Sequence, residues 1–219
     1  MNLNEALLAR HSVRSYIEKP LEYSTVSALE ALIDKLNAES GLCMRLVTNE
    51  PNAFDCFFAH YGKFSGVTNY IAMIGPKNSD ELCGYYGERI VLEAQSMGLN
   101  TCWVGLTYKK VDGHYTIHKG EKLHLVIAIG YGATQGVVRK SKSIAEVSKC
   151  GAEMPEWFRN GVEAALLAPT AMNQQKFRFE LHGEKVKAVT SWGFYSKVDL
   201  GIAKCHFEIG SGKNADVWL

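Results

Sequence analysis

Apolar residues along this chain follow a helical rhythm in some stretches and an extended one in others, and the two rhythms predict its elements. Leu3, Leu7 and Leu8 give a short first helix over residues 1–9. After Pro20, Ser24-Thr25-Val26 opens a second helix, with Val26, Leu29, Leu32 and Leu36 on one face and Ser40-Gly41 as its end. Residues 81–98 predict the longest helix, with Leu82, Tyr85, Tyr86, Ile90, Val91, Ala94 and Met97 on a wide apolar face and Gly98 as its C-cap. Two later helices are expected. One opens at Met154-Pro155-Glu156-Trp157 and runs to Ala168-Pro169, and the last covers about Ser196 to Ile209 and closes on Gly210. Residues 43–47 read as a short strand, and 69–75 as a buried strand closed by Gly75-Pro76. Leu99 to Leu106 runs on mostly apolar. Lys122 to Gly130, apolar at nearly every position, predicts a central strand. Phe177, Phe179 and Leu181 alternate with polar residues, and His182-Gly183-Glu184-Lys185 turns into Val186 to Val189, so this segment predicts a hairpin. Residues 151–219 look like a second start.

Composition narrows the class. The 219 residues are 47% hydrophobic and 21% charged, with a net charge of +1, which leaves no electrostatic footprint for nucleic acid. The N-terminus carries an acid and no long apolar core, unlike a signal peptide, and no apolar run is long enough for a membrane span. The six cysteines form no CxxC pair and no framework spacing, and read as reduced thiols of a cytoplasmic protein.

Against that near-neutral background, Arg10-His11-Ser12-Val13-Arg14-Ser15-Tyr16 concentrates two guanidiniums, an imidazole and two hydroxyls. Planar guanidinium forks and a neutral hydroxyl donor suit phosphate oxygens, although cations after a helix also suit its C-terminal dipole. Arg139, Lys140 and Lys142 form a second basic group, which reads as further phosphate contacts or as a solvated loop. Ala168 to Phe177 joins a helix to a strand and is dense in short polar groups. Those can address the edge of a heterocyclic ring or cap neighbouring backbone. Gly130 to Gly136 follows a strand, but its spacing is GxGxxxG and no periodic helix follows, which argues against a dinucleotide fold. His114 and His118 are expected in a loop without a carboxylate motif, so no metal is expected. Cys205 and His206, adjacent in a helix, point apart and make no nucleophile–base pair. No side-chain constellation supplies catalysis, and a redox cofactor with its own chemistry would account for that.

Together these pieces resemble the flavin-dependent nitroreductase family. Arg10-His11-Ser12-Val13-Arg14 is similar to its RxSx[RK] motif, which holds the FMN phosphate and ribityl chain. Pro169-Thr170-Ala171-Met172-Asn173-Gln174-Gln175-Lys176-Phe177 resembles its PSxxNxQPW motif along the flavin ring, with Thr170, Lys176 and Phe177 departing from it. Gly98 to Leu106 is similar to the segment whose backbone approaches the ring near N5, and Lys140-Ser141-Lys142 to a basic pair on the phosphate. The ring motif normally follows the second helix, and here it lies in the last third. That placement resembles the single-chain TM nitroreductase subgroup. The resemblance implies an α+β nitroreductase-like fold, with a central, mostly antiparallel or mixed sheet flanked by helices. It implies one compact unit over 1–219, in which 1–150 carries the phosphate grip and 151–219 carries the ring loop in place of a second subunit. The implied cofactor is FMN. The implied contacts are Arg10, His11, Ser12, Arg14, Val104, Gly105, Lys140, Lys142, Pro169, Thr170 and Asn173, with no catalytic side chain. The implied activity is hydride transfer from NAD(P)H to a nitroaromatic, quinone or similar small acceptor by a ping-pong cycle, in a monomer or a homodimer. A non-catalytic FMN store or sensor on the same scaffold is the alternative. No nucleic-acid or membrane partner is expected.

Overall fold

Strand pairing places the most apolar segment of the chain where it has a neighbour on both sides. The computed structural model describes residues 1–219. Its helices are α1 (Leu3–Ala9), α2 (Tyr23–Ser40), α3 (Phe57–Tyr61), α4 (Asp80–Ser96), α5 (Ile144–Val147), α6 (Glu156–Ala165) and α7 (Ser196–Ser211). Its strands are β1 (Arg45–Val47), β2 (Tyr70–Pro76), β3 (Asn100–Val104), β4 (Glu121–Gly130), β5 (Ser148–Lys149), β6 (Phe177–His182) and β7 (Lys185–Thr190). Contacts divide the chain into two units. The first holds Met1, 9–79 and 90–138, and the second holds 2–8, 80–89 and 139–219.

The first unit is built on an antiparallel sheet of order β1-β2-β4-β3. As expected for an unbroken apolar run, β4 is interior, with Ile127 opposite Ile71 on one side and Trp103 on the other. Tyr70, Ala72 and Ile74 share a core with Val126, Ala128, Phe54 and Phe64. Ile71, Met73, Ile127 and Ile129, of opposite parity, are equally buried, so both sheet faces are covered. The expected end of α2 is observed, with Gly41 left-handed at φ 71° and its N–H on the Asn37 carbonyl. The longest helix is α2 (18 residues) and not α4 (17 residues), because α4 closes at Met97. Gly98, at φ 80°, lies one residue past that cap. Its N–H reaches the Gln95 carbonyl and that of Leu99 the Ala94 carbonyl, so orphan carbonyls of the last turn are satisfied.

In the second unit, α1 begins with a reciprocal cap: Glu5 N–H donates to Asn2 Oδ1 and Asn2 N–H to Glu5 Oε2, both at 2.9 Å. The predicted hairpin is β6–β7, in the register Leu181 opposite Val186, with Gly183 left-handed in its two-residue turn. The unpredicted β5 lies parallel to β6. Against this sheet α7 is buried along most of its length, packed with α6. It runs past Gly210 to Ser211 and closes at Gly212, φ 67°. Gly210 marks a close approach and not an end, since a Cβ there would stand 2.3 Å from that of Ala164. Residues 80–89 meet α7 in the same way. A Cβ on Gly84 would lie 2.0 Å from the Val198 carbonyl oxygen, and one on Gly201 1.9 Å from that of Glu81. Beside this contact the fully buried His206 and Glu88 pair at 2.7 Å, and the other ring nitrogen of His206 meets the Ala164 carbonyl at 3.1 Å.

Helix propensity alone favours Gly201→Ala by up to about 1 kcal/mol. The backbone contact reverses that sign: Gly201→Ala should destabilise by roughly 1–3 kcal/mol, as overpacking does, and lower the melting temperature in thermal denaturation.

Candidate functional site

Each unit gathers one group of the residues singled out by sequence. In the first, the chain leaves α1 and runs extended beside β3. Ser12 bridges Thr101, Val13 N–H donates to the Thr101 carbonyl at 3.0 Å, and Ile17 N–H donates to that of Tyr131 at 2.9 Å. Alternation does the rest. Val13 and Tyr16 turn into the core, where the Tyr16 hydroxyl donates to the Val13 carbonyl at 2.8 Å, and Arg14 stays exposed. Its guanidinium stands 5.9 Å from the centre of the Phe64 ring. Arg10 is only 2% exposed.

Arg10, Ser12 and Arg14 converge on one buried group, the Cys102 thiol of β3. Burial pushes that thiol upward, against the pull of Arg14, a hydrogen bond with Ser12 and the charge of Arg10. Two residues on, Val104 ends β3 buried, and Gly105 follows half-buried. His11 packs against the loop that follows β4, where a Cβ on Gly136 would stand 2.6 Å from that of His11. The glycine-rich stretch therefore folds back over the cationic segment. Asn100 pins it, with its Oδ1 accepting from Gly132 N–H at 3.0 Å and its amide donating to Gln135 at 3.1 Å. Elsewhere in this unit His114 and His118 lie in a loop, and His114 pairs with the buried Glu50 at 2.9 Å. No group of three or more His, Cys, Asp or Glu side chains is placed to hold a metal ion.

The second unit joins the basic loop 139–142 to the polar loop 169–175. Asn173 donates its amide to the Lys140 carbonyl at 2.7 Å, and Lys142 donates its ammonium to the Gln175 carbonyl at 2.7 Å. The hub is Gln175, which the sequence reading left out of the contact set. Its buried amide accepts from Lys142 N–H at 2.8 Å and donates to Ser141 at 3.0 Å and to the Leu166 carbonyl at 3.1 Å. Thr170 Oγ1 accepts from Gln175 N–H at 3.1 Å, so this hydroxyl caps the loop from within. Arg139 is turned inward, its Nη2 on the carbonyls of Leu166 (3.0 Å) and Ala168 (2.5 Å). Pro169 is buried, whereas Lys140 and Asn173 are exposed.

This loop carries backbone strain. Met172 (φ 50°), Asn173 (φ 54°) and Gln175 (φ 42°) are left-handed without being glycine, which costs on the order of 1–3 kcal/mol each. A second residue missed by sequence holds them. Asp199, only 3% exposed on α7, accepts from Ala171 N–H at 3.0 Å and from the Gln174 amide at 2.7 Å. Burial raises its carboxyl to about 6, against the two hydrogen bonds, which favour the charged form.

The fold is that of the nitroreductases. A nitroreductase-family structure from Thermotoga maritima superposes with a TM-score of 0.70 at 25% identity, covering 96% of this chain and 83% of the other. One from Desulfovibrio desulfuricans, solved in complex with FMN, gives 0.52 at 17% identity, over 71% of this chain and 98% of the other. The family described as "Putative TM nitroreductase" matches residues 2–211, and the chain belongs to it. No curated protein matches the sequence.

The raised carboxyl of Asp199 fixes a pH dependence. The native state keeps this proton to about pH 6, whereas the unfolded chain releases it near 3.8, so stability is full at low pH and falls as pH rises through that window. In urea unfolding, the stability of the wild type relative to Asp199→Asn should drop by about 2–3 kcal/mol between pH 4 and pH 7.

Proposed function

We propose that the chain is an FMN-dependent oxidoreductase that passes hydride from NAD(P)H to a nitroaromatic, quinone or similar electron-poor acceptor. The observation that carries this reading is the convergence of Arg10, Ser12 and Arg14 at the β3 edge. Two guanidiniums and a hydroxyl are a phosphate donor set, so the residues present fit FMN. Membership of the nitroreductase family and the FMN complex of the Desulfovibrio relative support the same cofactor.

In this reading Arg10, Ser12 and Arg14 hold the phosphate beside His11, and the backbone of Val104 and Gly105 meets the ring. Within the second unit, Lys140 and Lys142 are cations suited to an anionic group, and Pro169, Thr170 and Asn173 suit the face and edge of a flavin ring. Asn173 spends its N–H on Lys140, which leaves its amide oxygen to accept from a ring imide. Thr170 accepts from Gln175 and keeps its hydroxyl hydrogen to donate. Bound FMN supplies the hydride chemistry that no side chain here provides. The protein's part is to bind and orient, with Met172, Asn173 and Gln175 held left-handed in the loop that would face the ring. No helix is long and apolar enough to cross a membrane, and six free thiols suit the reducing cytoplasm we assign it to.

The purified protein should be yellow, bleach with NADH or NADPH without oxygen, and recover its colour on adding a nitroaromatic. Steady-state plots against both substrates should be parallel. Flavin retained without bleaching would favour a store or sensor. A colourless protein whose melting temperature FMN does not raise would end the flavin reading. Arg14→Ala, at an exposed position, should weaken FMN binding at least about tenfold, the loss of one charge-assisted contact of roughly 1.5–3 kcal/mol.

A further inference from the structure

Beyond the strained loop, the second unit carries an aromatic loop with an unusual division of labour. Between β7 and α7, the backbone of residues 191–196 is fixed by polar ties. Ser191 N–H donates to the Lys176 carbonyl (3.1 Å), Lys176 Nζ to that of Trp192 (2.8 Å), the Gln174 amide to that of Phe194 (2.6 Å) and Ser196 N–H to that of Gly193 (3.2 Å). Gly193 is pressed so closely on Gln174 and Lys176 that a Cβ would stand 2.7 Å from each. Tyr195 is held left-handed at φ 54° as it enters α7. The aromatic side chains the loop carries nevertheless stay open to solvent, with Phe194 edge-on to Tyr195 at 4.8 Å. Trp192 is 94% exposed and Phe194 48% exposed. They wall a cavity of about 370 Å³ whose lining also includes Tyr195, Val198, Asp80 and Lys197. A backbone fixed this firmly under solvent-exposed rings is a pre-organised binding platform, and the cavity is of small-molecule size.

We propose that Trp192 and Phe194 form the recognition site for the planar, electron-poor aromatic acceptor. This assignment rests on the oxidoreductase reading and deepens it. Indole is the most electron-rich side-chain ring, and an electron-poor ring stacked on it gains both area and quadrupole complementarity. The Lys176 ammonium lies 6.0 Å from the Trp192 ring centre and helps hold that ring in place. The aromatic loop is also tied through Gln174 to the loop bearing Asn173, so the platform is fixed relative to the residues assigned to the flavin ring.

Equilibrium dialysis of 4-nitrobenzoate against the oxidised protein as purified, without NAD(P)H, tests this without turnover. Saturable binding is expected in the wild type. It should weaken about tenfold in Trp192→Ala and in Phe194→Ala, and stay within about threefold in Trp192→Phe, which keeps a stacking face. Flavin content, read at its visible absorbance, should not change in these surface variants. Unchanged nitrobenzoate affinity in both alanine variants overturns the proposal, as does loss of affinity in Trp192→Phe equal to that in Trp192→Ala. A colourless wild type would defeat the flavin reading instead, and the dialysis would still decide whether the aromatic platform binds the probe.

Discussion

One buried carboxylate ties two loops of the second unit to a helix. Asp199 has its backbone on α7 and both oxygens committed elsewhere, to Ala171 N–H and the Gln174 amide. Burying a carboxylate is costly unless donors replace water, and here two do so. Gln174 then extends the constraint, because the same amide nitrogen also reaches the Phe194 carbonyl at 2.6 Å. One charge thus fixes the loop of Asn173 and the loop of Trp192 against a rigid helix. Its raised pKa is the measure of how incompletely two donors repay desolvation.

The strain in the polar loop makes sense beside that constraint. Left-handed Met172, Asn173 and Gln175 would relax to ordinary turns if nothing opposed them. Gln175 opposes them by meeting Lys142, Ser141 and Leu166 at once, and Arg139 closes the same knot by capping carbonyls past the end of α6. The basic loop therefore has two tasks. Arg139 serves the fold, Lys142 divides its ammonium between the loop and whatever else approaches, and Lys140 remains outward. A sequence shows three cations within four residues and cannot rank them, because the ranking is set by the distant carbonyls of Leu166, Ala168 and Gln175.

Where a signal was local, it was legible. The unbroken apolar run of β4, the alternation of β6, the Gly183 turn and the Gly41 end of α2 each depend on neighbours within a few residues, and each was read correctly. β5 was not, since two residues paired in parallel with β6 leave no periodicity to find. The short α5 was passed over although Ser143-Ile144-Ala145-Glu146 is a capping box, its carboxylate accepting from Ser143 N–H at 2.8 Å. Gly210 misled because glycine also serves close approach, and only Ala164, far away in sequence, distinguishes that use from a cap. Asp199 and Gln175 were invisible for the same reason. An acid in a helix and a glutamine in a loop look solvated until distant partners bury them. His206 was rightly excluded as a partner for Cys205, and its true partner, Glu88, lies on another helix.

The cationic segment of the first unit raises a question of charge balance that Cys102 answers. Arg10, Ser12 and Arg14 all act on this thiol, and a thiolate there would neutralise the field they create. Burial prevents it. The desolvation that raises the Cys102 pKa exceeds the pull of the nearby cations, so the sulfur stays protonated and neutral at physiological pH. Tyr16, buried beside it and pushed upward for the same reason, is neutral too. Cys102 and Tyr16 are thus both uncharged, and the Phe64 ring lies 5.9 Å from the Arg14 guanidinium. In the proposed flavin reading, Arg14, set over an uncharged, low-dielectric floor, would meet a phosphate from its solvent side.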